Sequence, residues 1–380
     1  MSSREISSSL LLWHGYPSWW LLAIEKRANL IHLALYTKMS SVASKKILAI
    51  ETSCDETSAA IVGSDFQVLS NVIYSQIPAH KKTRGVVPEV ASRWHEKKII
   101  EVVEQALKNA GVTLEQINAL AVTCGPGLVG SLLVGVETTK ALAWISRLPI
   151  AGVNHIYGHL ISPITSIEHP EKIVFPVLAL TASGGHTILA LLWSWTDYQV
   201  LGETIDDASG EAFDKIATML ALSYPGGPAL EKLAQEFQGQ PTITFPSPKI
   251  NSDDLNFSFS GLKTAVLYYL QKNPQANKAE IAYASQQAII KALVGKTEKA
   301  FTQFKPKTIF VAGGVSANRA LRQAMLEKFS TRVPIYFPAK GFFGDNAGMI
   351  GLATFLDTRT PFTTWKEAKA EPNLKLKSTS

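Results

Sequence analysis

Two histidines one helical turn apart carry the clearest chemical signal in this chain. In "NHIYGH", His155 and His159 are four positions apart. In a helix the 3.6-residue period puts them on one face with Cβ atoms about 5–6 Å apart, near enough to share a metal ion. A zinc protease would carry HExxH, whose Glu activates the metal-bound water, but Ile156 follows His155 and that base is missing. On its own the pair suits packing or capping as well as ligation. Downstream, "FPAKGFFGDNAGMIGLATFL" reads as a strand end, a glycine loop, Asp345 and an apolar helix from Ala347. Asp345 is then either the N-cap of that helix, a position that favours Asp, or the oxygen ligand the histidines lack.

Other polar residues fall on turns that must be held by strands. Residues 47–62, "ILAIETSCDETSAAIV", and 177–192, "VLALTASGGHTILALL", share one pattern: apolar strand, short polar turn with Ser and Thr at matching offsets, apolar strand. A β-hairpin used twice predicts two lobes of one topology with a cleft facing both turns. Gly184 and Gly185 leave backbone N–H groups open to a phosphate, with Ser183 and Thr187 adding hydroxyls. The first turn has Asp55 and Glu56 instead, which suits proton handling or a bridging cation.

Two further segments, "ALAVTCGPGLVGSLLVG" and "KTIFVAGGVSANRALRQAML", read as strand, glycine turn and helix, with Ser316 or Asn318 able to cap the second helix. That arrangement binds nucleotides, yet no GK[ST] is present, which disfavours Walker-type hydrolysis. In "DDASGEAFDKIATML" the helical period places Asp214 at the border of an apolar face, and "FSFSGLK" brings a lysine, Lys263, with no evident structural task.

The chain has 380 residues, 46% hydrophobic and 18% charged, with a net charge of +6. This length exceeds a single core of about 250–300 residues, so two lobes are expected. The mild positive charge fits a polyanionic partner without requiring one. Cys54 and Cys124 make neither a disulfide framework nor a cysteine-rich zinc site. No apolar run from Lys45 onward reaches the ~20 residues of a membrane helix, so no membrane association is expected. Residues 1–44 differ in character, being Trp-rich and interrupted by Glu25, Lys26 and Arg27. They read either as an appended amphipathic segment or as sequence upstream of a start at Met39. The lysine-rich end, 366–380, is expected to fray.

The motifs "ETSCDETSAAIV", "GVVPEVASRWH", "GPGLVGSLLVG", "NHIYGH", "SGGHT", "DDASGEAFDK", "YPGGP", "FSFSGLKT", "AGGVSANR" and "DNAGMI", in this order, closely resemble the TsaD family of tRNA adenosine threonylcarbamoyltransferases. The resemblance covers about residues 46–360. It implies an α/β chain with the actin-like ATPase fold of sugar kinases, Hsp70 and actin: lobe 1 at 45–154 plus about 342–365, lobe 2 at 155–341. It implies one divalent metal on His155, His159 and Asp345, with Fe(2+) preferred, Zn(2+) an alternative, and Mg(2+) less natural with imidazole. The adenylate of threonylcarbamoyl-AMP would lie against Thr181, Ala182, Ser183, Gly184, Gly185, Asp214, Gly227 and Asn318. Asp55 or Glu56 is the candidate base that takes a proton from the attacking adenosine amine of tRNA. Lys81, Lys82, Arg84, Arg93, Lys97 and Lys98 form a basic segment that suits tRNA phosphates or a solvated face.

Family partners implied are a paralogous scaffold (TsaB-like) and a small ATPase (TsaE-like). The expected compartment is the cytoplasm, or the mitochondrion if residues 1–44 are a presequence. A sugar or carboxylate kinase on the same fold is the alternative, but it has no use for the histidine pair. A non-catalytic scaffold would lack the metal ligands.

Overall fold

In the computed structural model the described residues are 45–379, apart from 82, 84, 248, 250 and 251. The extension 1–44, with its alternative start at Met39, lies outside them, as do Lys82 and Arg84 of the basic segment.

Two sheets follow one plan. β1 (Lys46–Glu51), β2 (Glu56–Gly63) and β3 (Val68–Ser75) form an antiparallel meander; α1 (Ile77–His80) and α2 (Pro88–Asn109) lead to β4 (Ala119–Gly125), α3 (Val129–Ser146) and β5 (Ile150–Asn154). β4 runs parallel to β1 and β5 parallel to β4, which gives the order β5-β4-β1-β2-β3. After α4 (His155–Ile161) the plan repeats with β6 (Val177–Ala182), β7 (Thr187–Leu192) and β8 (Tyr198–Glu203). Helices α5 (Ser209–Met219), α6 (Gly226–Gln235), α7 (Ser260–Lys272) and α8 (Lys278–Phe304) precede β9 (Thr308–Ala312), α9 (Arg319–Phe329) and β10 (Ile335–Tyr336). The order β10-β9-β6-β7-β8, with the same parallel and antiparallel pairs, bears out the repeated hairpin. The chain then returns to the first sheet through α10 (Ala347–Leu356), and β11 (Phe362–Thr363) pairs with β5 at its edge.

The strands are apolar on both faces because both faces are covered. Leu48 and Ile50 of β1 pack with Ile99, Val102 and Val103 of α2, whereas Ile47 and Ala49, pointing the other way, join a central layer. β6 does the same: Leu178 and Leu180 meet Ile216 and Ile289, and Val177 and Ala179 face the central layer. That layer belongs to both sheets and contains Leu160 and Ile161 of α4 with Met349, Ile350 and Leu352 of α10. Gly158 permits this packing, since a Cβ there would stand 3.0 Å from Ile350 Cδ1 and 3.2 Å from Met349 Cγ. Asn154 starts α4, its Oδ1 accepting from the N–H groups of Ile156 and Tyr157 at 2.9 and 3.2 Å. Among the described residues no helix is long and apolar enough to cross a membrane.

The C-terminal segment departs from the expectation that it frays. The Glu371 N–H donates to Cys124 O at 2.6 Å, and Gly127 N–H donates to Pro372 O at 3.1 Å. Asn154 Nδ2 donates to Lys375 O at 3.3 Å, Leu376 is buried in the central layer, and Thr379 N–H donates to Tyr198 O on the edge strand β8 at 2.9 Å. Apolar residues spaced among the lysines, together with unpaired backbone at the end of β4 and along β8, give this strap its partners. Leu376→Ala should therefore cost about 2–3 kcal/mol of stability in denaturant unfolding, while Lys377→Ala beside it stays within about 0.5 kcal/mol.

Candidate active site and metal centre

α4 presents both histidines to one point, their ring centroids 4.6 Å apart and their planes at 84°. Asp345, arriving on the loop before α10, places Oδ1 2.9 Å from His159 Nε2 and 3.6 Å from His155 Nε2. One donor atom from each of the three lies within 4.8 Å of the others. Of the two roles open to Asp345, capping falls to its neighbour: Asn346 Oδ1 accepts from Met349 N–H at 3.0 Å. Asp345 is thus left to the histidines.

A fourth residue sets the ring of His155. Glu51, fully buried at the end of β1, accepts a hydrogen bond from Thr123 Oγ1 at 2.5 Å and lies 3.1 Å from His155 Nδ1. With Nδ1 held by a carboxylate, Nε2 is the nitrogen turned toward Asp345, the orientation in which outer carboxylates hold metal-bound histidines. The electrostatics point the same way. Burial disfavours a charged His155, but the Asp345 and Glu51 carboxylates outweigh it and push the imidazole up to about 9. Burial would also raise Asp345, yet the two histidines hold it well below the ordinary carboxylate range. His186, with its ring centroid 6.2 Å from that of His155, is lowered to about 4 by burial and then by the two histidines. The pocket of Glu51, Asp345 and two imidazoles is built around a positive charge, and His159 Nδ1 is buried without a hydrogen-bond partner. This donor set fits a divalent ion that accepts nitrogen and oxygen ligands.

His155 and Asp345 open into a cavity of about 1230 Å³ between the two hairpin turns. Asp55, Glu56, Ser183, Gly184, Gly185, Asp214, Gly227 and Asn318 also line it. Around Gly184, Gly185 and Gly314 a Cβ would meet nothing within 4 Å, so bare backbone faces the space. Thr181 and Ala182 do not take part as expected: both are fully buried in β6, whose backbone pairs with β7 and β9, and neither lines the cavity. Asp214 Oδ1 accepts from the N–H groups of Gly226 and Gly227 at 2.8 and 3.3 Å. Burial raises its pKa against the pull of those two donors. Asn318 caps α9 by accepting from Leu321 N–H at 2.9 Å and donates to Gln286 Oε1 at 2.8 Å. Glu56 is pushed well up by burial and then by the Asp55 and Asp345 carboxylates.

A family model described as "TsaD: tRNA N6-adenosine threonylcarbamoyltransferase" matches residues 67–352. The chain belongs to this family. It is 45% identical over 337 residues to the tRNA N6-adenosine threonylcarbamoyltransferase of Clostridium perfringens, which covers 87% of this chain and 98% of that one. The enzyme of the same name from Clostridium beijerinckii is 47% identical over 339 residues, with the same coverage of each chain. That from Streptococcus suis is 46% identical over 332 residues, covering 86% of this chain and 97% of its own. Among solved structures, component A of the Acidaminococcus fermentans (R)-2-hydroxyglutaryl-CoA dehydratase superposes with a TM-score of 0.51 at 15% identity, covering 83% of this chain and 99% of that one. Full-length HypF in its phosphate- and nucleotide-bound form gives 0.55 at 13% identity, covering 83% of this chain and 46% of its own. At these identities the likeness shows the fold alone, the actin-like ATPase fold.

Glu51 is the site residue that the sequence reading passed over within "ETSCDE". A signal was available: a carboxylate closing the apolar run "ILAI" must be buried, and a buried carboxylate needs a partner. Glu51→Gln should weaken metal binding about 10–100-fold, read by competition with a chelator of known affinity. The proton on His155 competes with the metal. Because the metal-free imidazole titrates near 9, apparent metal affinity should rise with pH through the neutral range and level off above that value; an affinity flat from pH 6.5 to 8.5 contradicts this.

Proposed function

We propose that this family member transfers the threonylcarbamoyl group of threonylcarbamoyl-AMP to the exocyclic N6 amine of the adenosine 3′ of the anticodon in ANN-decoding tRNAs. The observation that carries the reading is the buried His155–His159–Asp345 cluster opening into the same cavity as the bare glycine turns. A phosphate-loop cleft without the cluster would suit a kinase equally; the cluster has no use there.

The divalent metal that His155, His159 and Asp345 would hold, with Fe(2+) preferred to Zn(2+), would supply Lewis-acid stabilisation of charge on the donor. The chain's residues do the rest. The backbone at Gly184, Gly185 and Gly314 receives the phosphate. Asp214, with Oδ1 held by Gly226 and Gly227, keeps Oδ2 for the ribose hydroxyls. Asn318, fixed as the α9 cap, sits toward the base. In the transfer the amine nitrogen forms a bond to the carbamoyl carbon, the bond from that carbon to the phosphate oxygen breaks, and AMP leaves with the electron pair. The amine loses one proton. Burial and the neighbouring carboxylates shift Glu56 toward its protonated form, so Asp55, which lines the same cavity, is the carboxylate we assign to accept it.

The division into lobe 1 (45–154 plus about 342–365) and lobe 2 (155–341) belongs to this reading, each lobe carrying one hairpin to the cleft. A paralogous scaffold subunit is the partner we propose, supported by large apolar side chains exposed along α3, Val129, Leu133, Trp144 and Ile145; a small ATPase companion rests on the family resemblance. The free thiols Cys54 and Cys124 support a reducing compartment, the cytoplasm.

A transfer assay with threonylcarbamoyl-AMP and an ANN-decoding tRNA tests the reading. His155→Ala and Asp345→Ala should each lower the rate about a hundredfold or more, as expected for removal of several kcal/mol of charge stabilisation; parental rates in both would sink it. Asp55→Asn should lower kcat by about 10²–10⁴, and Glu56→Gln by less.

A further inference from the structure

The charge on the cavity wall is lopsided. Among the described lining residues the carboxylates are Asp55, Glu56, Glu211, Asp214, Glu231 and Asp345, against two ammonium groups, Lys215 and Lys263. Lys215 is paired with two carboxylates, its Nζ 2.8 Å from Asp207 Oδ1 and 2.7 Å from Glu211 Oε1. Lys263 is not. Its Nζ stands 3.3 Å from Asp207 Oδ2, an oxygen that is buried and makes no hydrogen bond. An ammonium carries three N–H donors, and this one protein contact leaves the others open to the cavity.

The position of Lys263 has no explanation in the stability of its helix. α7 begins at Ser260 and is anchored by Asp206, which accepts from Phe259 N–H at 2.8 Å and from the hydroxyls of Ser258 and Ser260 at 2.6 and 2.7 Å. Lys263 follows one turn later, near the positive end of the helix dipole, where a cation is disfavoured. Its base is rigid, its charge is placed at a cost, and it lines the cavity. A ligand anion is the partner such a lysine lacks.

The donor has two anionic groups. On the reading above, the phosphate is taken by the backbone of the glycine turns. That leaves the carboxylate of the threonine part on a wall whose other side-chain charges are negative or already paired. We propose that Lys263 binds this carboxylate and makes the protein select carbamoyl donors derived from α-amino acids over donors without a carboxylate. The inference rests on the proposed function.

The experiment compares threonylcarbamoyl-AMP with the analogue built from 1-aminopropan-2-ol, in which hydrogen replaces the carboxylate, and follows transfer to tRNA by mass spectrometry of the nucleosides. The parent should show a KM about 10–100-fold higher for the analogue, the range for losing a hydrogen bond to a charged group. K263M should raise KM for threonylcarbamoyl-AMP by that factor and leave KM for the analogue within about threefold, and K263R should restore part of the preference. If K263M does not fold, K263Q takes its place. A variant that keeps the parental preference overturns the inference. So does one that raises KM equally for both donors, which would assign Lys263 to the phosphate or to tRNA. A parent that transfers from neither donor instead overturns the proposed function.

Discussion

The close approach of α4 and α10 at Gly158 is the contact on which the site depends. A Cβ there would stand 3.0 Å from Ile350 Cδ1 and 3.2 Å from Met349 Cγ, so both side chains of α10 would have to give by a few tenths of an ångström. Asp345 reaches His159 across that seam at 2.9 Å, and hydrogen bonds and metal ligation both tolerate only tenths of an ångström. The glycine between the histidines of "NHIYGH" is therefore as much a part of the site as the histidines. Close packing of the central layer turns a tolerance on helix spacing into a tolerance on chemistry.

Charge is sorted by the same architecture. Glu51 sits at the end of β1 where alternation leaves it buried, so its carboxylate must be matched, and His155 with Thr123 matches it. The resulting cluster prefers a positive charge at its centre, which a proton supplies on His155 in the metal-free protein. Beyond it the cavity wall is mostly acidic. For an anionic ligand, the favourable faces of that wall are the bare backbone of the glycine turns and the ammonium of Lys263.

Much of this was legible in the sequence, for identifiable reasons. The repeated hairpin showed because both copies are buried strands interrupted by polar turns, and the identical order of the two sheets follows from that duplication. His155 and His159 showed because four-residue spacing has one meaning on a helix. Asp345 remained ambiguous because an Asp before a helix usually caps; only the structure hands the cap to Asn346. Glu51 was missed because the strand signals a buried carboxylate but not its partner, His155, which is 104 positions away in the chain. Thr181 and Ala182 were expected at the ligand because a motif lies along the chain, whereas a strand covered on both faces buries both residues and uses its backbone for pairing. The C-terminal strap was misjudged because lysines dominate its composition while Leu376 and Ala368 decide its fate.

That strap, together with α10, bears on the order in which the protein can be made. The ribosome delivers Glu51, Thr123, His155 and His159 long before Asp345, and it delivers the residues that cover β8 and brace the Gly127 turn last of all. A nascent chain with both sheets formed still has two imidazoles facing a buried glutamate with no third ligand. The third donor of the cluster therefore arrives only after both hairpins have been made, and a chain cut short before Asp345 would carry both cleft turns and both imidazoles but an incomplete donor set.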